Sequence, residues 1–250
     1  MKVSIITPVH NSAAFLNATA VSVLLQTYSD WEWLLIDDHS TDISWAVMQE
    51  LAHKDPRIKL FSNTMSKGPG STRNIGIQQA SGHYMTFLDS DDCWFPEFLE
   101  KSIHVMQTTG VGFTFASYER WDEKFEQQFE SFNIPEKVTY KDILYTCPIF
   151  TSTVMINIEK YGKILMPNLL RRQDYAFFLD YLKVVPFAYG IQEPLCKYRV
   201  RKSSISGNKK KVIRYQFNVY YNHQKLGLVK SVFYMLHWAY NGYIKYRNIK

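Results

Sequence analysis

Four short apolar runs, each followed by a helix-patterned stretch, fill roughly the first 110 residues and restrict what this chain can fold into. Residues 3–9 (VSIITPV) and 33–36 (WLLI) are apolar, β-branched or aromatic almost throughout, as expected of strands covered on both faces. Residues 57–61 (RIKLF) and 84–88 (YMTFL) predict two more strands. Between them, Phe15, Ala18, Val21 and Leu25 recur at helical spacing, with Ser12 placed to cap. Thr41 and Asp42 offer a cap for a helix over 43–54, and a glycine loop opens another from about Ser71, stopped by Gly82. Pro96 and Glu97 start a helix over 96–108 that Gly110 ends. Such alternation predicts a mostly parallel α/β sheet with helices on both faces, and ligands then bind beyond the carboxyl ends of the strands. Polar residues collect at those ends: PVHNS after the first strand, DDHSTD after the second, DSDD after the fourth. Further on, 111–118 and 151–157 read as strands, 119–142 as loop and helix, 173–184 as a helix, and 208–250 as two helices joined near Leu226–Leu228.

The chain has 250 residues, 46% of them hydrophobic, enough for one large domain or a domain with an appendage. Three scattered cysteines (Cys93, Cys147, Cys196) lack metal-ligand spacing and suit a reducing compartment. The opening MKVSIITPVHN is apolar too briefly for a secretory segment, so a cytosolic N-terminus is expected. Charge is divided unevenly. From Pro194 to Lys250 there are thirteen Lys/Arg and no Asp or Glu, which leaves sixteen basic and twenty-three acidic residues in 1–193. An acidic body carries a basic tail suited to an anionic surface, either nucleic acid or phospholipid.

The sharpest local signal is FLDSDDCWFP (87–96), where Asp89, Asp91 and Asp92 follow a buried-strand pattern. Unpaired burial of such carboxylates costs several kcal/mol (about 2–7 even for neutral polar groups), so something positive is expected among them: a metal ion, a basic side chain, or both. Asp89 and Asp91, two apart at a strand end, can point to one side and bind Mg²⁺ or Mn²⁺ together with substrate phosphates. Capping of the helix at Pro96 is the competing explanation and accounts for one or two of the three. SKGPGSTRN (66–74) is neither a P-loop nor a dinucleotide fingerprint. Its Lys67 and Arg73 can pair with a diphosphate or with the DSDD carboxylates, or simply decorate a turn. In IDDHSTD, Asp42 or Thr41 serves as a cap, whereas Asp37 and Asp38 precede the turn and can bind a nucleobase imide or ribose hydroxyl. Asp174 opens an amphipathic helix in RRQDYAFFLDYL, a common place for an acid. In the tail, Val229, Val232, Phe233, Leu236, Tyr240 and Tyr243 form a helical stripe, but Lys230, His237 and Asn241 interrupt it before the ~18–20 apolar residues that span a bilayer. A core helix and an interfacial membrane helix both remain open there.

Taken together, VSIITPVHNS, SVLLQTYSDWEWLLIDDHSTD, GPGSTRNIGIQQASGHYMTFLDSDD, RRQDY and YRVRKSSIS resemble the family 2 inverting glycosyltransferases of GT-A fold. The likeness runs from about Val3 to Ser206 and is nearest to bacterial enzymes of teichuronic acid and lipopolysaccharide assembly. It implies a transferase domain over 1–206 (a nucleotide-binding half, 1–110, and an acceptor half, 111–206) followed by a helical tail over 207–250. It implies that Pro8, Val9, His10 and Asn11 line the nucleotide pocket and that Asp38 meets the uracil. Arg73 would lie near the diphosphate, with Lys67, Ser90 and Arg201 also binding the nucleotide sugar and Asp89 and Asp91 as the DxD pair touching ribose and metal. Asp174 would be the catalytic base. Three departures stand out: His10 where tyrosine is usual, Gln173 where glutamate is common before the base, and Arg201 where many relatives carry a metal-binding histidine. Arginine cannot ligate a cation but can neutralise a diphosphate. The expectation is a cytosol-facing transferase using a UDP-sugar, a divalent metal and a lipid-linked glycan acceptor, held by its tail at the inner membrane face and binding no nucleic acid. A sugar-nucleotide nucleotidyltransferase would need a glycine-rich basic loop where PVHNSAAF stands. A non-catalytic anion-binding module would leave DSDD without a role.

Overall fold

The structure, a computed structural model, describes residues 1–64, 68–131, 133–201 and 209–247. Its first half follows the alternation: β1 (Val3–Val9), α1 (Ala13–Leu24), β2 (Trp31–Asp37), α2 (Ser44–Lys54), β3 (Ile58–Ser62), α3 (Pro69–Gln79), β4 (Tyr84–Phe87), β5 (Cys93–Trp94) and α4 (Phe98–Thr109). The second half adds β6 (Phe113–Trp121), β7 (Gln128–Phe129), β8 (Lys137–Val138), α5 (Tyr140–Tyr145), a 3-10 turn (Thr151–Thr153), β9 (Met155–Asn157), α6 (Ile158–Tyr161), α7 (Gln173–Tyr181) and β10 (Ala188–Arg199). The tail holds α8 (Lys209–Asn218), a π-turn (Val219–His223) and α9 (Gly227–Arg247).

One mixed sheet runs β3-β2-β1-β4-β9-β6-β10-β5. The first four strands are parallel, with Val3 beside Trp31 and Tyr84, and Ile6 beside Leu34 and Phe87. β9 is antiparallel to both β4 and β6, so β6, and β10 alongside it, point the same way as β1. The carboxyl ends of β1, β2, β4, β6 and β10 therefore share one edge. Successive residues face opposite sides. Ile5, Trp33 and Leu35 pack under α1, α2 and α4 with Leu16, Met48 and Leu99. Ile6, Leu34 and Ile36 pack under α3 and α7 with Ile77 and Phe177. Each such side chain, fully buried, contributes about 1.5–3 kcal/mol. Gly76 lets α3 lie close to the sheet, since a Cβ there would sit 2.4 Å from Ile6 Cγ2.

The sheet differs from the sequence reading in several places: β7 and β8 are short strands within 119–142, read as loop and helix, β5 is a further one, and β2 and β10 differ as follows. β2 begins at Trp31 and carries Glu32, which is 1% exposed. Glu32 is tolerated because Ser4 Oγ, Ser81 N and Oγ, Lys2 Nζ and Lys59 Nζ all donate to it within 3.0 Å. β10 was not expected at all. Its sequence AYGIQEPLCKYR breaks alternation at Pro194, and its pairing with β6 shifts register on both sides of that proline, as bulges permit. Among the described residues no helix is long and apolar enough to cross a membrane, and Cys93 and Cys196 are buried thiols.

Candidate active site

The site is built where the parallel strands end. Asp38, the first residue past β2, donates its N–H to Val9 O at 2.7 Å, and its own carbonyl lies 2.7 Å from His10 Nδ1. Its carboxylate is buried and accepts from Gly68 N (2.8 Å) and Asn63 Nδ2 (3.2 Å), so it joins β2 to the glycine loop that opens α3. Asn11 adopts a left-handed φ of 47°, a conformation Asn tolerates better than most residues. Its Oδ1 accepts from Thr41 N (2.7 Å) and Asp42 N (3.3 Å), tying the loop after β1 to the loop after β2. Ser12 does not cap α1. Its Oγ donates to His10 O and accepts from Ser90 Oγ at 2.7 Å, which ties the same loop to the acidic turn. Pro8 is half-buried and Val9 fully buried in β1.

The acidic turn after β4 separates its three carboxylates. Asp89 pairs with the Arg73 guanidinium from α3. Asp91 Oδ2 pairs with Arg201 Nη1 at 3.0 Å. Asp92 is 1% exposed and does not cap α4: Oδ2 accepts from Ser152 Oγ at 2.6 Å and Oδ1 from Arg199 N at 3.1 Å. Ser152 Oγ also accepts from Asp89 N (3.1 Å), and Thr19 Oγ1 donates to the carbonyls of Ser90 (3.0 Å) and Asp92 (2.8 Å). Arg199 Nε donates to Asp91 O at 2.8 Å, while its guanidinium lies 3.7 Å from the Phe125 ring centre and 4.9 Å from that of Phe15. Burial, then the charges of Asp91 and Asp89, push the Asp92 carboxyl well above the ordinary range. Burial and then Asp89 also push Asp91 up, against the pull of Arg201. Arg73 and Arg201 neutralise part of this concentrated negative charge.

Asp174 lies in the first turn of α7, partly exposed, its Oδ1 accepting from Tyr175 N at 2.8 Å. The helix is entered through Arg172 in a left-handed conformation (φ 65°). Gln173 packs on Gly70, where a Cβ would meet its Cγ at 2.7 Å. Gly70 lies three residues before Arg73 on α3, hence on the same side of that helix. The turn bearing Asp174 therefore abuts the helix bearing Arg73. Arg73 Nε, Arg201 Nε and Gln173 Oε1 are all buried without a hydrogen-bond partner, as expected of groups awaiting a polar ligand. Lys67 lies outside the described residues.

Among the described residues no three His, Cys, Asp or Glu side chains converge as a protein-only metal site. Asp89 and Asp91 carry oxygen donors of the kind that Mg²⁺ or Mn²⁺ takes, and would hold such an ion only together with ligands from outside the protein. Ser152, Arg199 and Thr19 escaped the sequence reading as parts of this site, and Asp92, read there as one of the acidic cluster or a cap, is a buried brace. Ser152 and Arg199 are brought there by long-range packing, and no local pattern marks them.

Residues 4–164 match the family described as Glycosyl transferase family 2. The chain belongs to that family. An uncharacterized glycosyltransferase of Haemophilus influenzae is 38% identical over 98% of both chains. The Bacillus subtilis protein named putative teichuronic acid biosynthesis glycosyltransferase TuaG is 36% identical over 96% of this chain and 95% of its own. The Escherichia coli protein WfgD, named a UDP-Glc:alpha-D-GlcNAc-diphosphoundecaprenol beta-1,3-glucosyltransferase, is 34% identical over 98% of this chain and 94% of its own. Among solved structures, S. aureus TarS 1-349 in complex with UDP-GlcNAc superposes with a TM-score of 0.71 at 20% identity, covering 88% of this chain and 65% of that one. The mannosyltransferase PcManGT of Pyrobaculum calidifontis, in complex with GDP-Man and Mn²⁺, gives 0.63 at 16% identity, covering 90% and 65%. At those identities the two structures speak to fold alone, which is GT-A. The transferase thus has the fold and family that its motifs resemble.

Proposed function

We propose that the enzyme transfers one sugar, with inversion, from a UDP-sugar to a lipid-linked glycan acceptor in surface-polysaccharide assembly. The observation that carries this reading is the gathering of Asp38, Arg73, Asp89, Asp91 and Arg201 at one sheet edge, each joined to a neighbouring element by a direct hydrogen bond or ion pair. Pro8 and His10 form the wall against the base, with Val9 buried behind them, and Asp38 accepts from the uracil imide. Asn11 and Ser90 shape that wall through the loops they join. Asp89 meets the ribose, and Asp89 with Asp91 holds Mn²⁺ or Mg²⁺. When bound, the cation neutralises charge on the departing diphosphate. Arg73 and Arg201 hold the diphosphate from the protein side, joined by Lys67. Asp174 accepts the proton of the acceptor hydroxyl as its oxygen bonds to the anomeric carbon and the bond to the diphosphate breaks. A single displacement from the far face inverts that carbon.

The lipid-linked acceptor is supported by the names of the relatives WfgD and WfaP, both diphosphoundecaprenol glucosyltransferases of Escherichia coli, at 34% and 33% identity. Residues 1–206 form the transferase domain in this reading and 207–250 an appendage that rests on the anionic inner leaflet. A panel of nucleotide sugars with and without Mn²⁺, followed by thermal unfolding, tests the reading. A UDP-sugar should raise the melting temperature only with Mn²⁺, and Asp91→Asn should lose that rise. Equal stabilisation of Asp91→Asn would overturn it.

A further inference from the structure

Among the described residues, one face of α9 has no partner. Val229, Val232, Leu236 and Tyr240 recur at three- and four-residue steps and so share one side of the helix. They are 83%, 44%, 67% and 63% exposed. The opposite side is clamped to the body: Tyr234 stacks edge-on with Tyr145 at 5.1 Å, Asn241 Nδ2 donates to Tyr145 O at 3.2 Å, and Ser231 is fully buried. On that inner side the Arg172 guanidinium lies 5.3 Å from the Trp238 ring centre. Arg172 is the residue through which the chain enters Gln173 and Asp174. One helix thus has an apolar outer face and an inner face that touches the turn carrying the proposed base.

We infer that this outer face of α9 inserts into the surface of an anionic phospholipid layer, so that the Arg172–Asp174 turn is held about one helix diameter (~10 Å) from the lipid. This rests on the proposed membrane association of the tail and names the face that makes it. Charge selects the occupant. Over residues 207–250 there are nine Lys/Arg and no acid, and Lys230 is exposed on α9 itself. A second copy of this chain would bring two such tails together against their mutual repulsion, whereas anionic headgroups neutralise them. An acceptor anchored in the same layer then meets Asp174 from the side on which α9 lies.

Flotation with vesicles of phosphatidylcholine, alone or mixed with phosphatidylglycerol, tests this with the full chain. The wild type should float with the mixed vesicles and keep part of its binding at about 1 M salt, where the Debye length is about 3 Å and only buried apolar contact persists. The double variant Val229→Glu with Leu236→Glu should lose binding about tenfold or more, with its melting temperature and nucleotide-sugar response unchanged. Equal flotation of variant and wild type, or complete release by salt, would show attachment by charge alone and overturn the insertion of α9 while leaving tail association standing. No flotation of the wild type would end tail association itself, and the nucleotide-sugar assay judges sugar transfer separately. A wild-type dimer in light scattering that the variant converts to monomer would assign the face to a second copy and refute the inference.

Discussion

Ser152→Ala is the most informative perturbation of the acidic turn because it leaves every charge in place. Ser152 Oγ is fully buried, donates to Asp92 Oδ2 at 2.6 Å and accepts from Asp89 N at 3.1 Å. A hydrogen bond to a charged group contributes about 1.5–3 kcal/mol, and a buried amide left unpaired costs about 1–3 kcal/mol. Part of this is recovered because Asp92, already pushed up by burial and by Asp91 and Asp89, can take a proton once its donor is gone. A net loss of about 2–4 kcal/mol remains, which for a chain of this size lowers the melting temperature by roughly 5–15 °C. The same turn presents Asp89 and Asp91, so the stabilisation by a UDP-sugar with Mn²⁺ should shrink as well. Thermal unfolding of both proteins, with and without the nucleotide sugar, reads both effects. A melting temperature within about 2 °C of wild type and an undiminished ligand response would show that Ser152 does not hold the turn.

Asp174→Asn should keep the nucleotide-sugar response and lose transfer by about 10²–10⁴-fold, as measured by UDP release with acceptor; an unchanged rate would remove it as base. Glu32 is pushed up by burial, but hydrogen bonds from Lys59, Ser81 and Ser4 outweigh this and hold it well below its ordinary 4.5. A depressed carboxyl stabilises the fold above its unfolded value and loses that contribution as pH falls through the folded one. The stability gap between wild type and Glu32→Gln should therefore narrow as pH falls from about 5 toward 2. Gly76→Ala places a Cβ 2.4 Å from Ile6 Cγ2; despite the better helix propensity of alanine it should cost about 1–3 kcal/mol in denaturant unfolding.

The four parallel strands and the helices between them were legible because apolar runs and three- and four-residue spacing report burial directly. So was the edge on which polar residues collect, since parallel strands with crossover helices leave no other place for it. The DSDD stretch announced a concentration of charge, and that is present. The division of labour within it was not readable: Asp92 resembles a helix cap in sequence and is a buried brace in space, held by Ser152 and by the backbone of Arg199. Glu32 obscured the start of β2 because a carboxylate inside a strand is costly until Lys2, Lys59, Ser4 and Ser81 converge on it. β10 escaped because a bulged strand around Pro194 has no regular period to detect.

The chain's own order of residues determined the alternating architecture, the edge of the site, the carboxylates placed there and the uneven division of charge. These follow from local spacing and composition, which act over a few residues at a time. Only the tertiary structure decided which arginine meets which aspartate, that a serine from the 3-10 turn braces the acidic turn, and that α9 clamps one side of itself to the body while exposing the other. Those pairings join residues from 16 to 110 positions apart. They depend on how the sheet is ordered, and no local pattern encodes that.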